Sequence, residues 1–265
     1  MENNIKDILL NSLNEAELVL VGIGEEFCEN GRKMEEIPEI AEFLKKIEER
    51  EERHWMRAYA EKYYLEKYKP NQVVEAYAVL EKLLKDKNYF VVSTRTDDYL
   101  YASGIRKERM VMPCGGYRFQ QCGSNCEKQI IPVNEKTAER INLCISGGKE
   151  PEEVPAPLCP KCGEKLVFNQ VSADHYAEEG YLEQWNHYTK WLQGTVNKKL
   201  CVLELGVGMK YPTVIRWPFE KIVFFNQKSV MFRVHSKLYQ LTEEIKDRGY
   251  KIDEKPVDFL INRFV

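Results

Sequence analysis

Leu200-Cys-Val-Leu-Glu-Leu-Gly-Val-Gly208 is the stretch on which the fold turns. Six mostly apolar residues bounded by glycine have the length and composition of a buried strand. The Gly-x-Gly that follows lets the backbone bend sharply at the strand's end. The same pattern stands near the N-terminus, where Glu17-Leu-Val-Leu-Val runs into Gly22-Ile23-Gly24.

Outward from these two segments, the chain alternates strands with helices. Ile5, Ile8, Leu9, Ser12 and Leu13 fall at helical spacing, so a short helix is expected over 4–16. Residues 35–68 read as helical, with Ile37, Ile40, Leu44, Ile47, Trp55, Tyr59 and Tyr63 as an interrupted apolar stripe. Pro38 suits a first turn and Pro70 closes the segment. A helix over 71–87 presents Val74, Tyr77, Leu80 and Leu84. A strand is expected over 89–94, a helix near 178–193 with Leu182, Trp185, Tyr188, Trp191 and Leu192 as its buried side, a short helix over 218–225 and a strand over 230–234. The tail over 241–265 reads as one helix with an undefined end. Strand, helix, strand is a crossover pattern and favours parallel pairing. The expected class is therefore α/β, a Rossmann-like parallel sheet with helices on both faces. A sheet that was not parallel would point instead to an unrelated α/β zinc protein.

Between Cys114 and Asn169 the texture changes, with Cys, Gly, Pro and Asn frequent and periodicity weak. Two cysteine pairs stand out. Cys122-Gly-Ser-Asn-Cys126 and Cys159-Pro-Lys-Cys162-Gly163 are separated by 32 residues. Zinc takes four soft ligands in a tetrahedron, and two turn-borne pairs deliver them. With four protein ligands no position stays open, so the metal expected at Cys122, Cys126, Cys159 and Cys162 is structural. Cys28, Cys114, Cys144 and Cys201 have no such partner in sequence. The expected organisation is a Rossmann-like domain over 1–113 and 170–265, a helical insertion over 30–70 and a zinc-binding module over 114–169.

The remaining bulk properties narrow the function classes. The 265 residues carry a net charge of -3, which offers no basic field for nucleic acid. No apolar run approaches the roughly 18–20 residues of a membrane span. The acidic N-terminus lacks the apolar core of a signal peptide, and a cytoplasmic setting is expected. Eight cysteines there read as thiols and metal ligands, not disulfides. The oligomeric state is not written in the sequence.

The order of these parts resembles the sirtuin family over nearly the full length. The residues that carry the resemblance are Gly22-Ile23-Gly24, Ser93-Thr-Arg-Thr-Asp-Asp98, Pro113-Cys-Gly-Gly-Tyr117, the two cysteine pairs, Leu203-Glu-Leu-Gly-Val-Gly208 and Pro218-Phe219. The match is nearest to the macrodomain-linked class M branch. Sirtuins use NAD to deacylate lysine. Class M members are similar, and are associated with ADP-ribosyl transfer to a protein, often a lipoylated carrier. The resemblance therefore implies an NAD-dependent transferase acting on an acylated or lipoylated protein, with Gly22, Gly24, Thr94, Asp97, Gly206, Gly208 and His235 at the cofactor. A catalytically inactive sirtuin-fold protein that binds a nucleotide or a partner is the alternative.

The departures fall on the chemistry. The family's first loop resembles G-A-G-x-G/S-x-S, whereas Glu25 and Glu26 stand here where a diphosphate is expected. Two like charges about 4 Å apart repel by roughly 1 kcal/mol even in water. Either both carboxylates face solvent or something answers them, and Arg95 is the candidate partner. The family's T-x-N-x-D reads here Thr94-Arg95-Thr96-Asp97. Asp97 matches the acid that holds nicotinamide, and Arg95 replaces the asparagine. At the catalytic position, His-Gly in sirtuins and Gln-Gly in class M, stands Cys114-Gly115. Cys114 is either a packed thiol or a nucleophile by the ribose. His235 takes the place of an asparagine that contacts the adenosine ribose.

Overall fold

The structure is a computed structural model and describes residues 2–27 and 33–265, so Cys28 lies outside the described residues. The elements in chain order are α1 (Glu2–Glu15), β1 (Leu18–Ile23), α2 (Pro38–Glu48), α3 (Arg57–Lys67), α4 (Asn71–Leu84), β2 (Tyr89–Ser93) and β3 (Met110–Val111). Then follow β4 (Gly115–Cys122), β5 (Ile130–Pro132), α5 (Glu135–Ile145), β6 (Leu166–Gln170), α6 (Leu182–Gln193), β7 (Leu200–Leu205), α7 (Arg216–Phe225), β8 (Ser229–Val234), β9 (Gly249–Ile252) and α8 (Pro256–Phe264).

Six strands form one parallel sheet in the order β3-β2-β1-β7-β8-β9. Every residue of β1 and of β7 is buried, which is what helices on both faces require. Alternation sends Val19, Val21 and Ile23 into one core with Leu9, Leu13, Leu80 and Phe259. Leu18 and Leu20 enter the other with Tyr188, Phe219 and Val223. Each such side chain contributes about 1.5–3 kcal/mol by leaving water. The expected parallel α/β sheet is thus present.

A second sheet is antiparallel, β5-β4-β6, and carries the first cysteine pair at the end of β4. Its α5 packs on α2 and α3, so that Ile40, Phe43, Ile47 and Tyr59 share a core with Ile141, Cys144 and Phe168. The Tyr59 and Phe168 rings meet edge to face at 4.8 Å.

Several expected details differ. The helix expected over 35–68 is broken, because residues Glu51–Met56 tighten into a 3-10 helix between α2 and α3. Val74 and Leu182 are exposed, not buried. The stripe of α4 is set by Val73, Ala76, Tyr77 and Leu80, which places Val74 off it. A 3-10 turn at Glu178–Gly180 precedes α6 and shifts where its helical phase begins, leaving Tyr188 as its buried residue. The tail holds a strand as well as a helix. β9 is a four-residue edge strand whose identity comes from its pairing with β8.

Candidate functional site

The chain runs from β1 outward through β2 to β3, then crosses back to β7 beside β1 and continues through β8 to β9. The order reverses between β1 and β7. Ligands of open parallel sheets bind in the crevice at the carboxyl ends of strands at such a reversal. Here that crevice is lined by Gly24 and Gly206. Gly24 N–H donates to Leu205 O at 2.9 Å, and Glu26 N–H donates to Gly206 O at 3.0 Å. A Cβ on Gly24 would lie 2.3 Å from Val207 Cα and 2.4 Å from Gly206 O. Gly206 adopts a φ of +67°, which suits glycine, and a Cβ there would meet Phe27 N at 2.8 Å. The two loops are therefore in backbone contact.

The residues singled out in the sequence gather here. Thr94, at the end of β2, is buried and its N–H donates to Ile23 O at 3.0 Å. Gly22 lies in β1 against Ile215 and Phe219. Gly208 and His235 follow β7 and β8.

Glu25 and Glu26 turn inward, not to solvent. Glu25 Oε2 accepts the N–H of Gly208 at 2.8 Å. Glu26 Oε2 accepts the N–H of Ser236 at 2.9 Å, and its other oxygen accepts the Ser236 hydroxyl. Arg95 faces the same loop. Its Nη1 donates to the main-chain carbonyl of Glu25 at 2.6 Å, and its Nε donates to Asp97 Oδ2 at 2.8 Å. Asp97 is buried and also accepts the N–H of Tyr99 at 3.1 Å. His235 Nδ1 lies 3.1 Å from the amides of Lys237 and Leu238 and 3.1 Å from Glu26 Oε2. One ring nitrogen cannot accept those N–H bonds and also donate to the carboxylate, so the tautomer decides between them. Burial lowers the His235 pKa, against the pull of Glu26, and favours the neutral ring.

Cys114 follows β3 and is only 2% exposed. Burial, helped by the charge of Glu25, pushes its thiol up to about 12, so it is protonated at neutral pH.

The four cysteines at the tip of the small sheet converge. Their sulfurs all lie within 4.8 Å of one another, with Cys122 to Cys162 at 3.5 Å and Cys126 to Cys159 at 3.7 Å. Four thiolates about 2.3 Å from a tetrahedral zinc stand about 3.8 Å apart, so the donor set fits the metal. Turn geometry aims them. Asn125 and Gly163 adopt positive φ, and Gly163 N–H donates to Cys159 O at 2.9 Å. The Cys126 amide and then the Ser124 hydroxyl favour the Cys122 thiolate, while hydrogen bonding to Cys162 pushes the Cys126 thiol up, so the cluster shares its protons among the four sulfurs.

The fold has counterparts among known proteins. A Sir2 protein bound to an acetylated peptide aligns over 97% of this chain and 95% of its own, at a TM-score of 0.60 and 17% identity. Sir2Tm bound to a propionylated peptide aligns over 98% and 96%, at 0.59 and 16%. The fold is that of a sirtuin, in divergent form. No protein-family model matches the chain. A Staphylococcus aureus protein named "Protein ADP-ribosyltransferase" is 22% identical over 266 residues, spanning 94% of this chain and 83% of that protein. A Fusarium oxysporum protein named "Probable bifunctional ADP-ribose hydrolase/ADP-ribosyltransferase" is 30% identical over 140 residues, or 51% of this chain. That match spans 23% of the Fusarium protein. No helix among the described residues is long and apolar enough to cross a membrane.

Within this sirtuin-like frame, three groups escaped the sequence reading. Ser236 holds Glu26, and nothing but its position after His235 signals it. Asp98 adopts a φ of +60°, is half-buried, and accepts the N–H of Tyr117 at 2.6 Å. Burial pushes its carboxyl up to about 6. Behind the crevice, Arg233 pairs with Glu204 and Glu220, while Arg216 donates to Val207 O at 2.9 Å and Leu238 O at 2.8 Å. These cations hold the loops that carry Gly208 and Ser236. Of the other histidines, His54, His175 and His187 are all exposed.

Proposed function

We propose that this chain is an NAD-dependent transferase acting on a protein, with ADP-ribosyl transfer favoured over lysine deacylation. The observation that carries the reading is the backbone contact of Gly24 with Gly206 at the sheet's reversal point, where a dinucleotide binds in such folds. The names of the Staphylococcus and Fusarium relatives favour ADP-ribosyl transfer. The propionylated and acetylated peptides in the sirtuin structures support an acylated protein acceptor.

The donors suit a diphosphate. The Gly208 amide, the Ser236 amide and hydroxyl, and the Arg95 guanidinium are groups that bind anions. Gly22, Gly24, Gly206 and Gly208 shape the crevice, Thr94 floors it, and His235 meets the adenosine ribose. Asp97 orients the nicotinamide amide once Arg95 shares it. When bound, NAD supplies an ADP-ribosyl group activated by its bond to nicotinamide. Cys114 lines the ribose side as a neutral thiol, since burial holds its proton. The cysteine tip holds a structural zinc, remote from this chemistry.

A second reading, a sirtuin-fold protein that binds a nucleotide or a partner without turnover, is favoured by Arg95. Its guanidinium is engaged by Asp97 and the Glu25 carbonyl in the position where the family has asparagine. Calorimetry with NAD and ADP-ribose on the zinc-loaded protein, paired with detection of released nicotinamide, separates the readings. Binding with nicotinamide release supports the transferase. Binding without release supports the second reading. No binding of either nucleotide sinks both as nucleotide proteins.

A further inference from the structure

We propose that Glu25 and Glu26 form an intramolecular stand-in for a diphosphate, so that the crevice is self-occupied and a dinucleotide binds only by displacing them. This rests on the reading of the crevice as a nucleotide site. Adjacent carboxylates from one turn reach two successive strand ends. Glu25 takes the Gly208 amide after β7, and Glu26 takes the Ser236 amide and hydroxyl after β8. Backbone amides at strand ends, held by glycine turns, are the groups that otherwise cradle phosphate. Left without an acceptor, such partly buried N–H groups would cost stability, so the carboxylates offset that cost while the crevice lacks a ligand. The Glu26 side chain is 9% exposed, which marks an inward-facing group and not a solvated one.

The backbone of the turn is fixed. Glu26 N–H donates to Gly206 O at 3.0 Å and Phe27 N–H to Gly24 O at 3.2 Å. Phe27 is fully buried, with its ring 4.8 Å from that of Tyr77. Release therefore needs rotation of the two glutamate side chains and leaves the loop in place. Ligand affinity is then the intrinsic affinity reduced by the fraction of molecules whose carboxylates are turned out.

The test is calorimetry of ADP-ribose, with adenosine as the probe that lacks phosphate, on the zinc-loaded full chain and on E25A/E26A and E25Q/E26Q. Removing both side chains is expected to tighten ADP-ribose by about tenfold or more and to leave adenosine unchanged. The Gln pair keeps the acceptors and loses the charge, so it falls between. Equal ADP-ribose affinity in all three proteins overturns the proposal while the nucleotide reading stands. An equal gain for adenosine also overturns it, because the gain would not come from the phosphate seat. Failure of every protein to bind either probe, with cooperative unfolding intact, overturns the nucleotide reading and the proposal with it. If E25A/E26A does not fold, E25Q/E26Q decides: unchanged ADP-ribose affinity overturns the proposal.

Discussion

Glu204 on β7 and Arg233 on β8 stand opposite one another in the strand register, and their side chains meet as a two-point ion pair with exposures of 0% and 1%. Nη1 of the same arginine donates to Gln240 O at 2.6 Å and to Glu220 at 2.7 Å. A charge removed this far from water is tolerated because every face of it is answered. Replacing Glu204 alone with Leu is expected to cost about 3–5 kcal/mol in urea unfolding, since Arg233 is left short of its main partner. The pair E204L/R233M should recover most of that loss. A double mutant as unstable as the single one would show that the pair does more than neutralise itself.

The four-cysteine tip has little apolar core of its own. Cys122, Cys159 and Leu166 form its buried cluster, with Ile131 beside them. The metal, more than burial, is expected to hold β4, β5 and β6 together at that end. One zinc per chain should be released by a thiol reagent in a colorimetric assay. Cys159→Ser should lower the melting temperature, by about 2–4 °C for each kcal/mol lost. Retention of full zinc stoichiometry in that variant would contradict the assignment of Cys159.

Asp98 makes the stability of the fold depend on pH. Its folded pKa is raised from 3.8 to about 6 by burial, against the pull of Arg118 and Lys62. Between those values the folded state holds more protons than the unfolded one. Stability from this group therefore falls as pH rises, and the loss is complete above about pH 6. Asn keeps an acceptor for the Tyr117 amide and tolerates the left-handed backbone. Asp98→Asn is expected to be more stable than the parent at pH 7 by about 1–3 kcal/mol, and close to it at pH 4. Denaturant melts at both pH values check this, and a gap independent of pH would exclude the carboxyl as its source.

Cys114 should be a slow thiol. At 2% exposure and with its pKa pushed to about 12, it has almost no thiolate at neutral pH. Iodoacetamide at pH 7.5 is expected to leave Cys114 unmodified in the native protein and to alkylate it on unfolding, as read by peptide mass spectrometry. Rapid native labelling would restore it as a candidate nucleophile.

The strands were legible because burial on both faces demands continuous apolar runs. Leu18 to Ile23 and Leu200 to Leu205 carry that demand in composition alone. The cysteine pairs were legible because turn spacing fixes ligand spacing, and the four sulfurs do converge. The short edge strand β9 was not, since two of its four residues are exposed and nothing in their pattern differs from a loop. The phase errors at Val74 and Leu182 have the same origin. Periodicity gives the stripe of a helix, and which neighbouring residue sits at its margin is decided by what packs against it.

The site divides along the same line. By itself the sequence determined that strands end in Gly-x-Gly, that two carboxylates follow Gly24, that Arg95 and Cys114 stand in unusual places, and that four cysteines are paired at metal-ligand spacing. It determined these because each is a property of residues close together in the chain. Only the tertiary structure decided where the charges go. Glu25 meets Gly208 across 183 positions and Glu26 meets Ser236 across 210, and both contacts exist because β1, β7 and β8 lie side by side in the sheet. A carboxylate's partner depends on which strand end is brought beside it, and that is set by the packing of the whole sheet.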